Sequence, residues 1–311
     1  MTGWSIKVRK YLRFGLPSAI AADAQAMKLP AFEYACPTTI SEAVALLAIH
    51  DGEAKPLAGG QSLVPMMAFR VASPSLLVDL RRLIELREIK IADDGVRLGA
   101  MTRWCDILDD SRLGSAHPLL VAAVEHVAHD QIRNRGTVGG SVAHADPAAE
   151  LPGIVVTCEA TIVAVGKAGM RSIAAVDFFV GPLMTALNPD EIITEIRFPA
   201  WPSQRRFGFS EFSRRRGDFA LAAAALFYDE DGVGRACNAH VGVIGVGDRP
   251  LRLTAVEDCI NGKEIDAAII AKAEAAASVA VEPADDIHAS GAYRKALAGV
   301  MVERALKNAM T

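Results

Sequence analysis

IRNRGTVGGSVAHADPAAELP, residues 132–152, is the stretch on which the reading of this chain turns. Two adjacent glycines, Gly139 and Gly140, stand between Thr137-Val138 and Ser141, and polar residues follow at short intervals: Ser141, His144, Asp146 and Glu150. Adjacent glycines admit positive φ and leave no Cβ between backbone and ligand. Backbone N–H groups in such a turn can converge on one oxyanion. The polar run adds donors and acceptors suited to the hydroxyls of a ribose or ribityl chain. Asp146-Pro147 predicts the N-cap and first position of a following helix. On the plainer reading, Asp146 is only a cap, His144 a polar loop residue and Glu150 a solvated carboxylate.

Working outward, a second glycine pair lies upstream in PLAGGQSL, residues 56–63. A strand over 55–58 runs into Ala58-Gly59-Gly60, and Gln61, Ser62 and Leu63 follow. The backbone there can approach a pyrophosphate, with Gln61 and Ser62 adding side-chain donors. No GK[ST] follows and no GxGxxG is present, so this is neither a Walker loop nor a dinucleotide fingerprint. An isolated Gly-Gly is more often a tight turn. Two such loops, each with hydroxyl or amide neighbours, favour one extended phosphate-bearing ligand held from both sides. A third glycine run, Gly242 to Gly247, has the wrong spacing and opens no helix, so it reads as a strand end and loop.

Periodicity places the loops in a chain of mixed class. Ala43, Val44, Leu46 and Leu47 predict a helix over 40–50 capped by Thr38 or Thr39. SLLVDL at 75–80 reads as a buried strand, and the segments either side of Asp93-Asp94-Gly95 as a hairpin. A helix is expected over 118–128, and strands over 161–165 and 191–198. Trp201-Pro202-Ser203 reads as a domain boundary. Beyond it come strands over 207–214, 221–228 and 236–246, then Ala-rich helices over 266–281 and 292–310. Strands followed by helices predict a segregated α+β domain.

Composition narrows the function classes. The formal charge of −4 over 311 residues gives no electrostatic basis for nucleic-acid binding, and no apolar run is long enough for a membrane span. The five cysteines, Cys36, Cys105, Cys158, Cys237 and Cys259, are dispersed and form no CxxC, which argues against a zinc site, an iron–sulfur site or a disulfide framework. That pattern fits a reducing cytoplasm. Residues 1–26 carry Lys7, Arg9, Lys10 and Arg13 before a weakly apolar stretch interrupted by Pro17. They read as an N-terminal extension ahead of an alternative start at Met27, with a poor signal peptide or a short amphipathic helix as the other readings.

Residues 57–67 and 132–152 resemble the two FAD signatures of the medium subunit of molybdenum hydroxylases, the group that includes xanthine dehydrogenase and carbon monoxide dehydrogenase. Arg214-Arg-Arg-Gly-Asp-Phe-Ala220 is similar to a further element of that family. The resemblance runs from Met27 to the C-terminus. It implies an α+β fold: a two-lobed FAD-binding domain of the vanillyl-alcohol oxidase (PCMH) type over 27–203, then a domain of small antiparallel sheet plus helices over 204–311. Carried over by motif, Ala58 to Ser62 hold the pyrophosphate, with Leu63 the next cofactor-binding residue, and Thr137 to Ser141 hold the middle of the cofactor. His144 lies inside the second signature, and Asp146 and Glu150 lie along the ribityl–diphosphate region. Thr102 matches a threonine near the FAD, and Ile193 stands where relatives place an apolar residue at the adenine end. Some relatives have a lysine near 210–211, where this chain has Ser210 and Glu211.

The function implied is that of an electron-transfer subunit. A large molybdopterin subunit oxidises substrate, a small subunit carries 2Fe–2S clusters, and FAD on this chain passes electrons to an external acceptor. The implied assembly is a dimer of heterotrimers. Since a flavin does its own redox chemistry, no acid–base catalytic residue and no metal ligand is assigned here. Two rivals remain open at this point: a self-contained FAD-dependent oxidoreductase, and a non-catalytic scaffold whose glycine loops are mere turns.

Overall fold

Leu76, Leu77, Val78 and Asp79 are all buried, the pattern required of a strand covered on both faces. In the computed structural model, which describes residues 29–311, this strand is the middle of a parallel sheet. The extension expected over 1–26, and Met27, lie outside the described residues. The sheet comprises β1 (Glu33–Ala35), β2 (Ala54–Leu57) and β3 (Leu76–Asp79) in the order β1-β3-β2. Pro56 can sit in β2 because β2 is an edge strand. Helix α1 (Ile40–Ile49) joins β1 to β2; Thr39 caps it, its Oγ1 accepting from the Glu42 N–H at 3.2 Å. Helix α2 (Leu63–Ala68) follows the first glycine pair, a helix the sequence reading lacked. Its Pro65 looks like a breaker but sits in the first turn, where the missing N–H has no intrahelical partner in any case.

The second lobe is built on an antiparallel sheet. Its strands are β4 (Ile89–Ala92), β5 (Gly95–Gly99), β6 (Thr161–Gly166), β7 (Gly169–Ala174) and β8 (Ile192–Pro199), in the order β4-β5-β8-β6-β7. The β4–β5 hairpin turns as the sequence predicts, with Gly95 at φ +133°. Helices α3 (Trp104–Asp109), α4 (Pro118–Val124), α5 (Val138–His144) and α6 (Glu150–Thr157) pack on it. Leu98, Val138, Val142, Ile154 and Ile196 share one core. Helix α4 is shorter than the expected 118–128. The carbonyls of Val127 and Ala128 accept instead from Arg133 Nη1, at 3.0 and 3.1 Å, and Ala128 has φ +42°.

The C-terminal domain is an antiparallel sheet, β9 (Arg206–Phe212), β10 (Ala222–Glu230), β11 (Ala236–Ile244) and β12 (Leu251–Arg252), with its neighbours in chain order. Helices α7 (Thr254–Ile260), α8 (Ala267–Ala280) and α9 (Gly291–Ala309) complete it. Strand β10 divides its side chains between two cores. Ala222, Ala224, Leu226 and Tyr228 pack with the helices. Ala223, Ala225 and Phe227 pack with the second lobe. The two-residue period of a strand thereby joins the domain to its neighbour. Gly208 lets α9 lie directly on β9, since a Cβ there would overlap the carbonyl oxygen of Ala305. Arg294, buried in the same layer, donates to the carbonyls of Leu221 and Gly245 at 2.8 and 2.7 Å and pairs with Asp286.

Candidate functional site

The two glycine motifs meet. Strand β2 delivers Ala58 to Leu63, all half-buried, to the start of α2. A Cβ on Gly59 would overlap the carbonyl oxygen of Arg135 and lie 2.9 Å from Gly136 Cα. A Cβ on Gly140 would stand 3.5 Å from that of Ala58. Gly59 is therefore glycine because the backbone of the other motif passes beside it, and Gly60 because its φ is +74°.

The backbone donors of the two motifs are in opposite states. Among the described residues, nothing accepts from the N–H groups of Gly59, Gly60, Gln61 or Ser62. The only side-chain bond in this loop is Gln61 Nε2 to the Gly59 carbonyl, 3.2 Å. Four consecutive N–H groups without a described acceptor at a half-buried turn are donors available to a phosphate oxygen. The second motif is closed. Val138 N–H donates to Thr102 O and Gly139 N–H to Ala100 O, each at 2.9 Å, and Gly140 N–H to Thr137 Oγ1 at 3.1 Å. Thr137 is the N-cap of α5, so the second glycine pair lies in the first turn of a helix. Gly139 is needed for packing, because a Cβ there would lie 2.5 Å from that of Ala100.

The remaining sequence-predicted residues fall around this junction. Ser141 and His144 are half-buried on α5. Asp146 does not cap α6. Its Oδ1 accepts from the Ala148 N–H at 2.9 Å in a separate turn, and α6 starts later, at Glu150 after Ala149. Glu150 is buried, and desolvation pushes its carboxyl up to about 7, helped by the charge of Asp146. Thr102 is fully buried, and its hydroxyl has no hydrogen-bond partner among the described residues. A buried hydroxyl of that kind calls for a partner from outside the chain. Ile193 lies in the core of the second lobe with Val138 and Val142 of α5, so packing accounts for its apolar character.

Glu211 is a group that the motifs do not mark. Its Oε2 is buried without a partner, and burial, then the charge of Glu150, pushes its carboxyl up to about 8. The signal was its strand register with Phe207 and Phe209. A separate cavity of about 160 Å³ lies at the domain junction, lined by His117, Trp201, Arg205, Phe227 and His240 among others; none of its lining residues belongs to the glycine motifs.

A half-buried turn with unsatisfied amides, crossed by a second glycine segment and flanked by buried polar groups, is suited to holding a phosphate-bearing cofactor. Residues 30–201 match the family model of the FAD binding domain in molybdopterin dehydrogenase, and residues 207–309 that of the CO dehydrogenase flavoprotein C-terminal domain. The chain belongs to this family, whose cofactor is FAD. It is similar to subunit alpha of the 6-hydroxypseudooxynicotine dehydrogenase complex of Paenarthrobacter nicotinovorans, with 37% identity covering 91% of this chain and 96% of the relative. It is 37% identical to the carbon monoxide dehydrogenase medium chain of Hydrogenophaga pseudoflava, over 90% of this chain and 97% of that one. A solved structure of carbon monoxide dehydrogenase from that organism superposes with a TM-score of 0.89 at 38% identity, covering 91% and 99% of the two chains.

Proposed function

We propose that this chain is the FAD-carrying electron-transfer subunit of a molybdopterin-dependent hydroxylase complex. The observation that carries the reading is the row of free amides from Gly59 to Ser62, opposite a second glycine segment, in a chain of this family. These amides, with the side chains of Gln61 and Ser62, hold the cofactor's diphosphate, and Ala58 and Leu63 shape the turn. Thr137, through its cap, and Val138, Gly139 and Gly140, through their packing, set the opposite wall, where half-buried Ser141 adds a polar hydroxyl. His144, Asp146 and Glu150 line the ribityl–diphosphate side. The unpartnered hydroxyl of Thr102 would offer the cofactor a hydrogen bond, and Ile193 would supply an apolar residue at the adenine end.

Bound here, FAD supplies the redox chemistry by which electrons from a small subunit's 2Fe–2S clusters reach an external acceptor. This chain's own residues bind and orient it and keep water from its buried side. Substrate oxidation takes place on a large molybdopterin subunit. The names of the relatives, a medium chain and a subunit of a dehydrogenase complex, support that division. The assembly is a cytoplasmic dimer of heterotrimers, and the FAD domain ends near Ser203. Among the described residues no helix is long and apolar enough to cross a membrane.

The test is spectroscopic. The purified chain takes up FAD and shows the visible flavin band, yet it oxidises no hydroxylase substrate until the large and small subunits are added. A chain that stays colourless with excess FAD refutes the assignment. Substrate turnover by the chain alone refutes the subunit role.

A further inference from the structure

Where the chain passes from one domain to the next, at Trp201-Pro202-Ser203, the seam between the domains is not fully packed. The cavity of about 160 Å³ opens there. The FAD-binding domain supplies His117 at the start of α4, Glu159 after α6, and Ala200 and Trp201 after β8. The C-terminal domain supplies Arg205 ahead of β9, Phe227 of β10 and His240 of β11. The cavity therefore exists only where the two domains dock.

Its walls are aromatic. The ring centres of Trp201 and Phe227 lie 5.4 Å apart, those of Trp201 and His117 4.7 Å, and His240 stacks on Phe227 at 4.5 Å. The Arg205 guanidinium carbon lies 4.2 Å from the centre of the Phe227 ring and 5.2 Å from that of Trp201. A cavity of about 150 Å³ holds one benzene molecule, so the volume here suits a single six-membered ring.

The charges in the wall are matched. Asp229 accepts from Arg205 Nε and Nη2 at 2.8 and 2.9 Å, and Glu159 pairs with Arg252. An ion entering would give up hydration and meet no uncompensated opposite charge, a cost that a neutral guest does not carry. Hydrogen-bonding groups nevertheless remain free. Among the described residues Arg205 Nη1 has no partner. His240 Nδ1 is 3.0 Å from the Thr157 carbonyl, which can only accept, so Nδ1 carries the proton and Nε2 is an acceptor that no described group uses. His117 Nδ1 accepts from the Leu120 N–H at 3.2 Å, which leaves its Nε2–H buried without a partner. Unsatisfied donors and acceptors in an aromatic wall favour a polar ring over a hydrocarbon.

We propose that this cavity binds a neutral single-ring aromatic molecule carrying both an acceptor and a donor, such as a lactam or hydroxylated heteroaromatic ring. The acceptor takes Arg205 Nη1 and the donor meets His240 Nε2. None of the residues involved belongs to the glycine motifs, so the proposal stands apart from the assignment of FAD.

The probe is 2-pyridone, titrated into the full-length apo chain by saturation-transfer NMR, with benzene and benzoate beside it. 2-Pyridone binds saturably with a Kd of about 1 mM or tighter, within the reach of a ligand of that size. Benzene, which makes no hydrogen bond, and benzoate, which is charged, bind at least about tenfold more weakly. Ala200→Trp fills the exposed rim and weakens 2-pyridone by at least about tenfold, while the melting temperature stays within about 2 °C, as for other surface changes. Arg205→Lys keeps a cation beside Asp229 but loses the planar fork, and it weakens 2-pyridone by at least about fivefold. The proposal is overturned by a lack of saturable 2-pyridone binding up to about 10 mM, by equal affinity for benzene or benzoate, or by an Ala200→Trp chain within about twofold of wild type. If Ala200→Trp does not fold, unchanged affinity in Arg205→Lys overturns it instead.

Discussion

Replacing Gly59 by alanine tests the junction of the two glycine segments directly. The new Cβ overlaps the Arg135 carbonyl oxygen and lies 2.8 Å from Arg135 C and 2.9 Å from Gly136 Cα, where ordinary contact starts at 3.4 Å. All three are backbone atoms, so no side-chain rotation relieves the clash. The Arg135–Gly136 segment is anchored: both its N–H groups donate to Ile132 O, at 3.0 and 2.7 Å, and Gly136 O accepts from Trp104 N–H at 3.3 Å. The loop from Gly59 to Ser62 is held less firmly, since its N–H groups find no described acceptor and its only backbone bonds are to the Gly60 and Ser62 carbonyls, which accept from Val64 and Met66 N–H at 3.2 and 3.0 Å, so it yields, carrying the free amides away from the diphosphate. Overpacking of this kind costs about 1–3 kcal/mol. If most of it falls on the bound state, FAD affinity drops about 5- to 150-fold, at about 1.4 kcal/mol per factor of ten. The assay is an FAD titration by flavin fluorescence beside a melting curve of the apo chain. Gly114→Ala, where an added Cβ meets nothing within 4 Å, is the control and leaves affinity unchanged. A Gly59→Ala chain that binds FAD within about twofold of wild type and melts at the same temperature would refute the reasoning.

The other predictions concern the frame around the site. Gly139→Ala pushes against Ala100 and strains the Gly139 N–H to Ala100 O bond, so it lowers the melting temperature and the FAD affinity together, both read in the same two assays. His117 caps α4 through Nδ1, which accepts from Leu120 N–H at 3.2 Å, and burial holds its pKa down to about 3. Its unfolded form takes a proton below about 6.5 and the native form does not. Stability therefore falls as pH drops from about 6.5 toward about 3, and His117→Asn, which keeps a cap, flattens that loss in denaturant titrations near pH 7 and pH 5.5. Arg294→Ala strands the carbonyls of Leu221 and Gly245, while Asp286, exposed and still bonded to the His288 and Ala289 N–H groups, is not stranded. A loss of about 2–6 kcal/mol follows, at about 1–3 for each buried carbonyl, read as a melting temperature lower by about 4–24 °C, with the glycine junction untouched.

Local chemistry carried much of this protein into the sequence. The capping threonine before α1 and the Asp-Asp-Gly hairpin could both be read residue by residue, because each depends on neighbours within a few positions. The two glycine pairs were legible as special backbone, and their surroundings marked the family. What the sequence could not decide was which amides stay free. Both pairs have the same local capacity. Only the packed structure shows that Ala100 and Thr102 take the donors of Val138 and Gly139, leaving those of Gly59 to Ser62 open. In the same way, the chain segment 146–150 has the composition of a cap followed by a helix, yet a turn held by Ala148 delays the helix to Glu150. Glu211 reads as an ordinary strand glutamate. It becomes a buried acid only when β9 lays it against the seam and Glu150 arrives from residues far away in the chain. Spacing along the chain determines which groups are available; burial, and who else bonds to them, depends on distant segments that no local pattern encodes.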